Sequence, residues 1–140
     1  MYRRMEMQTK LALETYKQPK ELTSFEITSF IFNFYNYVWN QNKLNEIPSY
    51  YDSQGVIYNK KFITSAQIKA EIIKTMVDIG ERSIFIDSLT CNRIGGLNDW
   101  DVSVNWKTRL SNEKVKNILG TTHFQIYNAK IVRETITLTK

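Results

Sequence analysis

Three side chains in the C-terminal part of the chain are the candidates for moving a proton: Asp101, His123 and Glu134. His123 is the single histidine, and imidazole is the one side chain whose ordinary pKa suits proton transfer near neutral pH. Glu134 alternates in phase with Val132 and Ile136, which predicts an inward carboxyl among apolar neighbours, with a pKa raised by burial into the range a proton shuttle needs. The competing reading of Glu134 is an exposed acid paired with Arg133, Lys107 or Arg109. Alternation sets Thr122, Phe124 and Ile126 on one strand face and His123 with Gln125 on the other, so His123 points away from an interior lined by the apolar set. Asp101 alternates with Val102 and falls in the exposed set. The lone Cys91 rules out an internal disulfide and carries no nearby cue for thiolate activation. No Ser/His/Asp arrangement, phosphate-cradling glycine loop or Cys/His metal cluster is present, so no cofactor or metal is expected.

The elements that must position these groups follow from periodicity. Residues 1–20 read as an arm with a weak helical stripe (Met5, Leu11, Leu13, Tyr16) that Pro19 stops, and residues 21–140 as one domain. Thr23 and Glu26 have capping-box spacing ahead of Phe30, Ile31, Phe34, Tyr35 and Val38, which predicts a long helix. Phe25, Ile27, Phe32, Tyr37 and Trp39 widen its apolar face and predict burial on more than one side. A short second helix around Leu44 to Tyr50 and a strand over residues 56–59 follow. Thr64 with Gln67 starts another helix, whose stripe Ile68, Ile72, Ile73, Met76 and Val77 ends at Gly80. The remainder predicts four antiparallel strands, at about 83–90, 100–108, 115–127 and 130–138, with turns at Gly95-Gly96 and Asn128-Ala129. Helices on one face of a curved antiparallel sheet make an α+β fold.

The net charge of +5 does not predict a nucleic-acid partner, because +3 of it lies in residues 1–20 and the domain proper carries only +2. Lys60-Lys61 and Lys114 with Lys116 read as solvated turns. At 140 residues and 42% hydrophobic the chain is one domain with a sizeable core. No signal-peptide core or membrane-length apolar run is visible, and with one cysteine the expectation is a cytoplasmic protein without a membrane anchor.

A distributed pattern carries a family resemblance over roughly residues 25–136: Trp39-Asn40 at the end of the first long helix, Tyr50-Tyr51-Asp52 before the first strand, Trp100 to Trp106 at the sheet centre, and Phe124-Gln125-Ile126-Tyr127-Asn128-Ala129-Lys130-Ile131 across the last hairpin. It resembles the SnoaL-like polyketide cyclase branch of the nuclear transport factor 2-like superfamily. That resemblance implies a cone-shaped fold with a small-molecule pocket and a histidine, in some relatives, at the place of His123. In SnoaL-like cyclases the last strand continues Lys-Ile-x-x-x-Trp-Asp, the aspartate being the general acid/base of ring closure. Here Thr135 and Ile136 stand at those two places, and an isoleucine cannot transfer a proton. The loop before the penultimate strand is cut to Ser111-Asn112-Glu113-Lys114.

Two functions remain open on this reading. One is a domain holding a small apolar or cyclic ligand against Tyr35, Trp39, Tyr58, Trp106 and Phe124, with Glu134 or His123 as the catalytic group of a cofactor-free isomerase, lyase or cyclase. The other is a non-catalytic association module that fills its own cone with aromatic side chains. A cavity in the range of roughly 300–1,000 Å3 favours the first and a packed cone the second. Either way a homodimer is expected, since Ile84, Phe85 and Ile86 put apolar groups on both strand faces.

Overall fold

The computed structural model describes residues 21–79, 83–109 and 117–139. The arm at 1–20, Gly80, and the shortened loop at 111–114 with Lys116 therefore lie outside the described residues. Thr23 caps α1 (Ser24–Phe34), its Oγ1 accepting from the Glu26 backbone N–H at 3.2 Å. Ile27, Ile31 and Phe34, spaced at one helical face, are buried. The backbone then widens into a π-helical turn, Tyr35–Asn40, which rotates Tyr35, Val38 and Trp39 into the core as well. That turn, rather than burial on all sides, accounts for the broad apolar run, because Phe25 and Phe32 are exposed. Asn40 fixes the end of the turn by donating from Nδ2 to the Ile84 carbonyl at 2.9 Å and accepting the Ile84 N–H at 2.7 Å.

A 3-10 turn, Leu44–Ser49, contains Pro48 and leads to β1 (Val56–Tyr58) and β2 (Lys61–Ile63). The pair β1–β2 turns through Asn59 and Lys60, both at positive φ, so Lys61 belongs to a strand and not to a loop. Helix α2 (Ser65–Ile79) is capped by Gln67 Oε1, which accepts from the Thr64 N–H at 2.9 Å, and buries Ile68, Ile72 and Ile79. Ile73 and Val77 of the expected stripe are exposed. The long strands β3 (Ser83–Arg93), β4 (Asp99–Arg109), β5 (Leu119–Tyr127) and β6 (Lys130–Thr139) form an antiparallel meander.

The sheet order is β2-β1-β6-β5-β4-β3, and β1 lies parallel to β6, so the sheet is mixed rather than wholly antiparallel. Its inner face carries Trp100, Val102, Val104 and Trp106 from β4 and Thr122, Phe124 and Ile126 from β5, all buried against the helices. The outer face is polar at its centre, where Ser103, His123 and Thr135 stand side by side, with Phe85, Lys107 and Leu119 in one row nearer an edge. None of the described helices is long and apolar enough to cross a membrane.

Candidate functional site

Glu134 owes its place to an irregularity in β6. Strict alternation pairs it in phase with Val132, but the register slips between Gln125 and Ile126, where Gln125 faces Arg133 and Ile126 faces Ile131. Val132 is the extra residue of this bulge. The slip restores the inward phase on both sides of it: Ile131 is buried opposite Ile126, and Glu134, 1% exposed, is buried opposite Phe124. Thus Glu134 shares its face with Ile131 and Ile136, and Val132 is only half-buried.

Three tyrosines surround the carboxyl. Tyr51 donates its hydroxyl proton to Glu134 Oε1 at 2.5 Å, and the Glu134 charge reaches both Tyr35 and Tyr58. Burial raises the Glu134 pKa from its ordinary 4.5 to about 7, with the Tyr51 hydrogen bond pulling the other way. Among the described residues no cation is ion-paired with Glu134, and Lys107 bridges Asp87 at 3.3 Å on the far side of the sheet. The tyrosine hydroxyls are pushed well above the usual phenol range, chiefly by burial and secondarily by the nearby carboxyl. All three remain protonated donors at neutral pH.

Beside this cluster lies a cleft lined by Tyr35, Trp39, Thr75, Ile79, Ile84, Trp106, Thr122 and Ile136. The volume open to the centre of a water molecule is about 10 Å3, room for a single water-sized group. Polar contacts on its wall are ordered. Trp106 Nε1 donates to Thr122 Oγ1 at 2.9 Å, and Thr75 donates to the Glu71 carbonyl at 3.0 Å while its oxygen lies 3.4 Å from the Tyr58 hydroxyl. Trp39 Nε1 is buried with no hydrogen-bond partner among the described residues.

Of the residues singled out from sequence, Tyr35, Trp39 and Trp106 line this cleft. Tyr58 and Phe124 do not. The Tyr58 hydroxyl turns to Thr75, and Phe124 is packed edge-on against Phe34 and Tyr35. His123 is exposed on the outer face, between Ser103 and Thr135, and is not brought to the cleft, because β5 alternates without interruption through Thr122, Phe124 and Ile126. Asp101 is exposed as well. Tyr51, Thr75 and Thr122 were not among the sequence candidates. Tyr51 stands next to Asp52 in the Tyr-Tyr-Asp motif, and the inward phase of Thr122 was the available signal for that residue. Among the described residues there is no group of His, Cys, Asp and Glu that could hold a metal ion.

No protein-family model matches the chain, and no curated protein matches it in sequence. Solved structures do match its fold. A SnoaL-like polyketide cyclase from Agrobacterium tumefaciens superposes with a TM-score of 0.59 at 12% identity, over 81% of this chain and 91% of that one. IdmH from Streptomyces antibioticus, a proposed polyketide cyclase, gives 0.57 at 7% identity over 79% and 90%. AclR from Streptomyces galilaeus, a proposed hydroxylase, gives 0.56 at 8% over 84% and 91%. The chain therefore has the α+β, nuclear transport factor 2-like fold of the SnoaL-like cyclases, and at these identities the likeness is one of fold.

Proposed function

We propose that the chain is a small-molecule-binding domain of the SnoaL-like type, in which Glu134, by way of the tyrosines packed around it, exchanges a proton with an apolar, carbonyl-bearing ligand held at the cleft, without a cofactor. The observation that carries this reading is the buried Glu134 carboxyl, held near a pKa of about 7 behind an aromatic wall, since a carboxyl half-protonated at neutral pH serves as both acid and base. The cyclase names of two structural neighbours support a polyketide-like ligand class. Ile136, at the place where the resemblance puts the cyclase aspartate, lines the cleft, so acid/base work falls on this reading to Glu134, in an isomerase-, lyase- or cyclase-type reaction.

The reading is tested by incubating the protein with cyclic β-keto esters in D2O and following deuterium incorporation by NMR. Wild-type protein is expected to accelerate exchange, and Glu134→Gln to lose about 100-fold or more of that acceleration. Exchange that persists in Glu134→Gln removes Glu134 from the reaction.

A second reading has its own support. The described cleft takes one water-sized group, far below the roughly 300–1,000 Å3 of ordinary ligand sites, which favours an association module with a filled cone. Such a module would dimerise through the outer sheet face, where Phe85 and Leu119 are 41% and 45% exposed. Analytical ultracentrifugation at micromolar concentration decides the dimer: a single monomeric species ends it. A dimer that catalyses no exchange and co-purifies with no ligand in native mass spectrometry replaces the first reading with this one.

A further inference from the structure

The sheet ends on β3, and the two halves of that edge differ. Along β4, Thr108 sends its N–H to Ile118 on the β5 side, so the even-numbered residues of β4 bond to β5 and the odd-numbered ones to β3. The β3 residues opposite even positions therefore turn their backbone N–H and C=O outward: Ile84, Ile86, Leu89, Cys91 and Arg93. At Ile84 the Asn40 side chain takes both groups, at 2.9 and 2.7 Å, and a bulge interrupts the strand between Ile86 and Ser88. Such devices blunt an edge against further pairing. From Ser88 to Arg93 neither is present. The register with β4 is unbroken there, no proline or lysine occurs, and the Arg93 side chain is held over Trp100 and by Glu21. Among the described residues nothing pairs with the outward groups of Leu89, Cys91 and Arg93. The chain from Leu22 through α1 to Asn40 runs back along this strand, Leu22 accepting from Arg93 at 3.2 Å at one end and Asn40 meeting Ile84 at the other. Between them Thr28 Oγ1 lies 3.6 Å from Cys91 Sγ. Phe25 and Phe32 sit one helical turn to either side of Thr28, away from the buried Ile27, Ile31 and Phe34, and are 77% and 49% exposed. An open strand edge is thus bordered by two exposed rings.

We propose that a second copy of this chain pairs with the Ser88–Arg93 edge, antiparallel and about a two-fold axis at Cys91, so that the two sheets become continuous. The occupant follows from the coincidence of two centres. An antiparallel pair centred on Cys91 sets Leu89 opposite the partner's Arg93 and lets all three outward residues exchange backbone hydrogen bonds. Because Thr28 touches Cys91, the same axis passes between the two α1 helices at Thr28 and lays Phe25 of each against the partner's Phe32. A surface that matches itself under this rotation fits a second copy better than an extended peptide, which would cover the edge and leave the rings bare. The area suffices for a weak dimer: at these exposures the two rings offer roughly 250 Å2 per copy and the open edge with Ile94 about as much again, which reaches the roughly 1,000 Å2 of a small specific interface. The contact is independent of what the cleft holds. It also differs from a dimer through the outer face, since it does not involve Phe85 or Leu119.

The test reads mass and edge together on the full chain, by sedimentation velocity from micromolar to millimolar concentration and by amide hydrogen exchange at both ends of that range. Wild-type protein is expected to dimerise as concentration rises, with the Leu89, Cys91 and Arg93 amides slowing by about tenfold or more relative to the dilute monomer. Substituting both rings, Phe25→Lys with Phe32→Lys, is expected to weaken the dimer about 30-fold or more, as loss of interface aromatics does, and to free those amides. Both sites are exposed, so the fold is kept. Leu119→Lys, on the outer face, is expected to change neither reading. A chain that stays monomeric at millimolar concentration overturns the proposal. So does a dimer that survives loss of Phe25 and Phe32, and one that Leu119→Lys dissociates is an outer-face dimer instead. Slow Leu89 and Cys91 amides in a monomer, at every concentration, would show that the chain covers its own edge, and that result overturns the proposal as well.

Discussion

Burying Glu134 makes the protein's stability depend on pH in a way that one substitution should erase. The carboxyl ionises at about 7 in the folded chain and at its ordinary 4.5 once exposed by unfolding. Below 4.5 the group is neutral in both states and costs nothing. Between 4.5 and about 7 the folded chain keeps a proton that the unfolded chain has lost, so stability falls as pH rises; above about 7 both states are ionised and the loss is complete. A shift of this size corresponds to roughly 3 kcal/mol. Glu134→Gln keeps the shape and an oxygen to accept the Tyr51 proton, and removes the ionisation. The variant should therefore match wild type near pH 4.5 and exceed it by roughly 3 kcal/mol at pH 8, or about 10 °C in melting temperature for a chain of this length. Urea denaturation of both proteins at half-unit steps from pH 4 to pH 8.5 gives the difference directly, since every other titrating group cancels in it. A difference that stays flat across that range would falsify the claim that Glu134 is buried and titrates near neutrality.

The remaining predictions concern single contacts. Tyr51→Phe removes the hydrogen bond that lowers the Glu134 pKa, so its midpoint, followed by carboxyl carbon NMR, should rise above about 7, with a further loss of about 1–2 kcal/mol at alkaline pH. Gly120→Ala would place a Cβ 2.2 Å from Trp106 Cζ2, so the buried indole must shift; we expect a loss of about 1–3 kcal/mol and a changed Trp106 indole N–H resonance, and an unchanged resonance would contradict the packing. Ala129 sits at φ 61° beside Asn128 at φ 49° in the β5–β6 turn, a conformation that costs alanine more than glycine. Ala129→Gly should raise stability by about 0.5–1 kcal/mol in thermal denaturation, and a loss would show that the turn relaxes differently.

How far the sequence alone reaches depends on the range of the interaction. Local signals were legible: Thr23 with Glu26 and Thr64 with Gln67 cap the two helices as their spacing predicts, and β4 and β5 bury their apolar alternates without exception. Asn128 takes the left-handed conformation expected at the last turn. Non-local features were not legible. The parallel pairing of β1 with β6 joins residues 57 and 133, and nothing in either short segment encodes its partner. The π-helical turn that brings Tyr35 and Trp39 inward reads in sequence as a continuing α-helix. The bulge at Val132 is likewise invisible to alternation. Glu134 falls on the inward phase by either count, so the bulge changes its neighbour on that face and leaves its burial as expected.

Ile136 and Glu134 lie on one face of β6, two residues and about 6.8 Å apart, and that spacing separates two kinds of acid. A carboxyl at 136 would stand on the cleft wall, where the isoleucine is half-buried, within reach of a ligand. At 134 the carboxyl is sealed beneath Phe124 and the tyrosines, and burial alone brings its pKa to about 7 without a neighbouring like charge. Depth supplies the tuning and removes the contact. On the proposed binding reading, a group on the wall has to meet the ligand and a path has to run from that group to the acid. Tyr35 lines the cleft and lies near enough to Glu134 for the carboxyl's charge to add to burial in raising its pKa. On that reading the place to look for chemistry is the Tyr35–Glu134 gap rather than position 136.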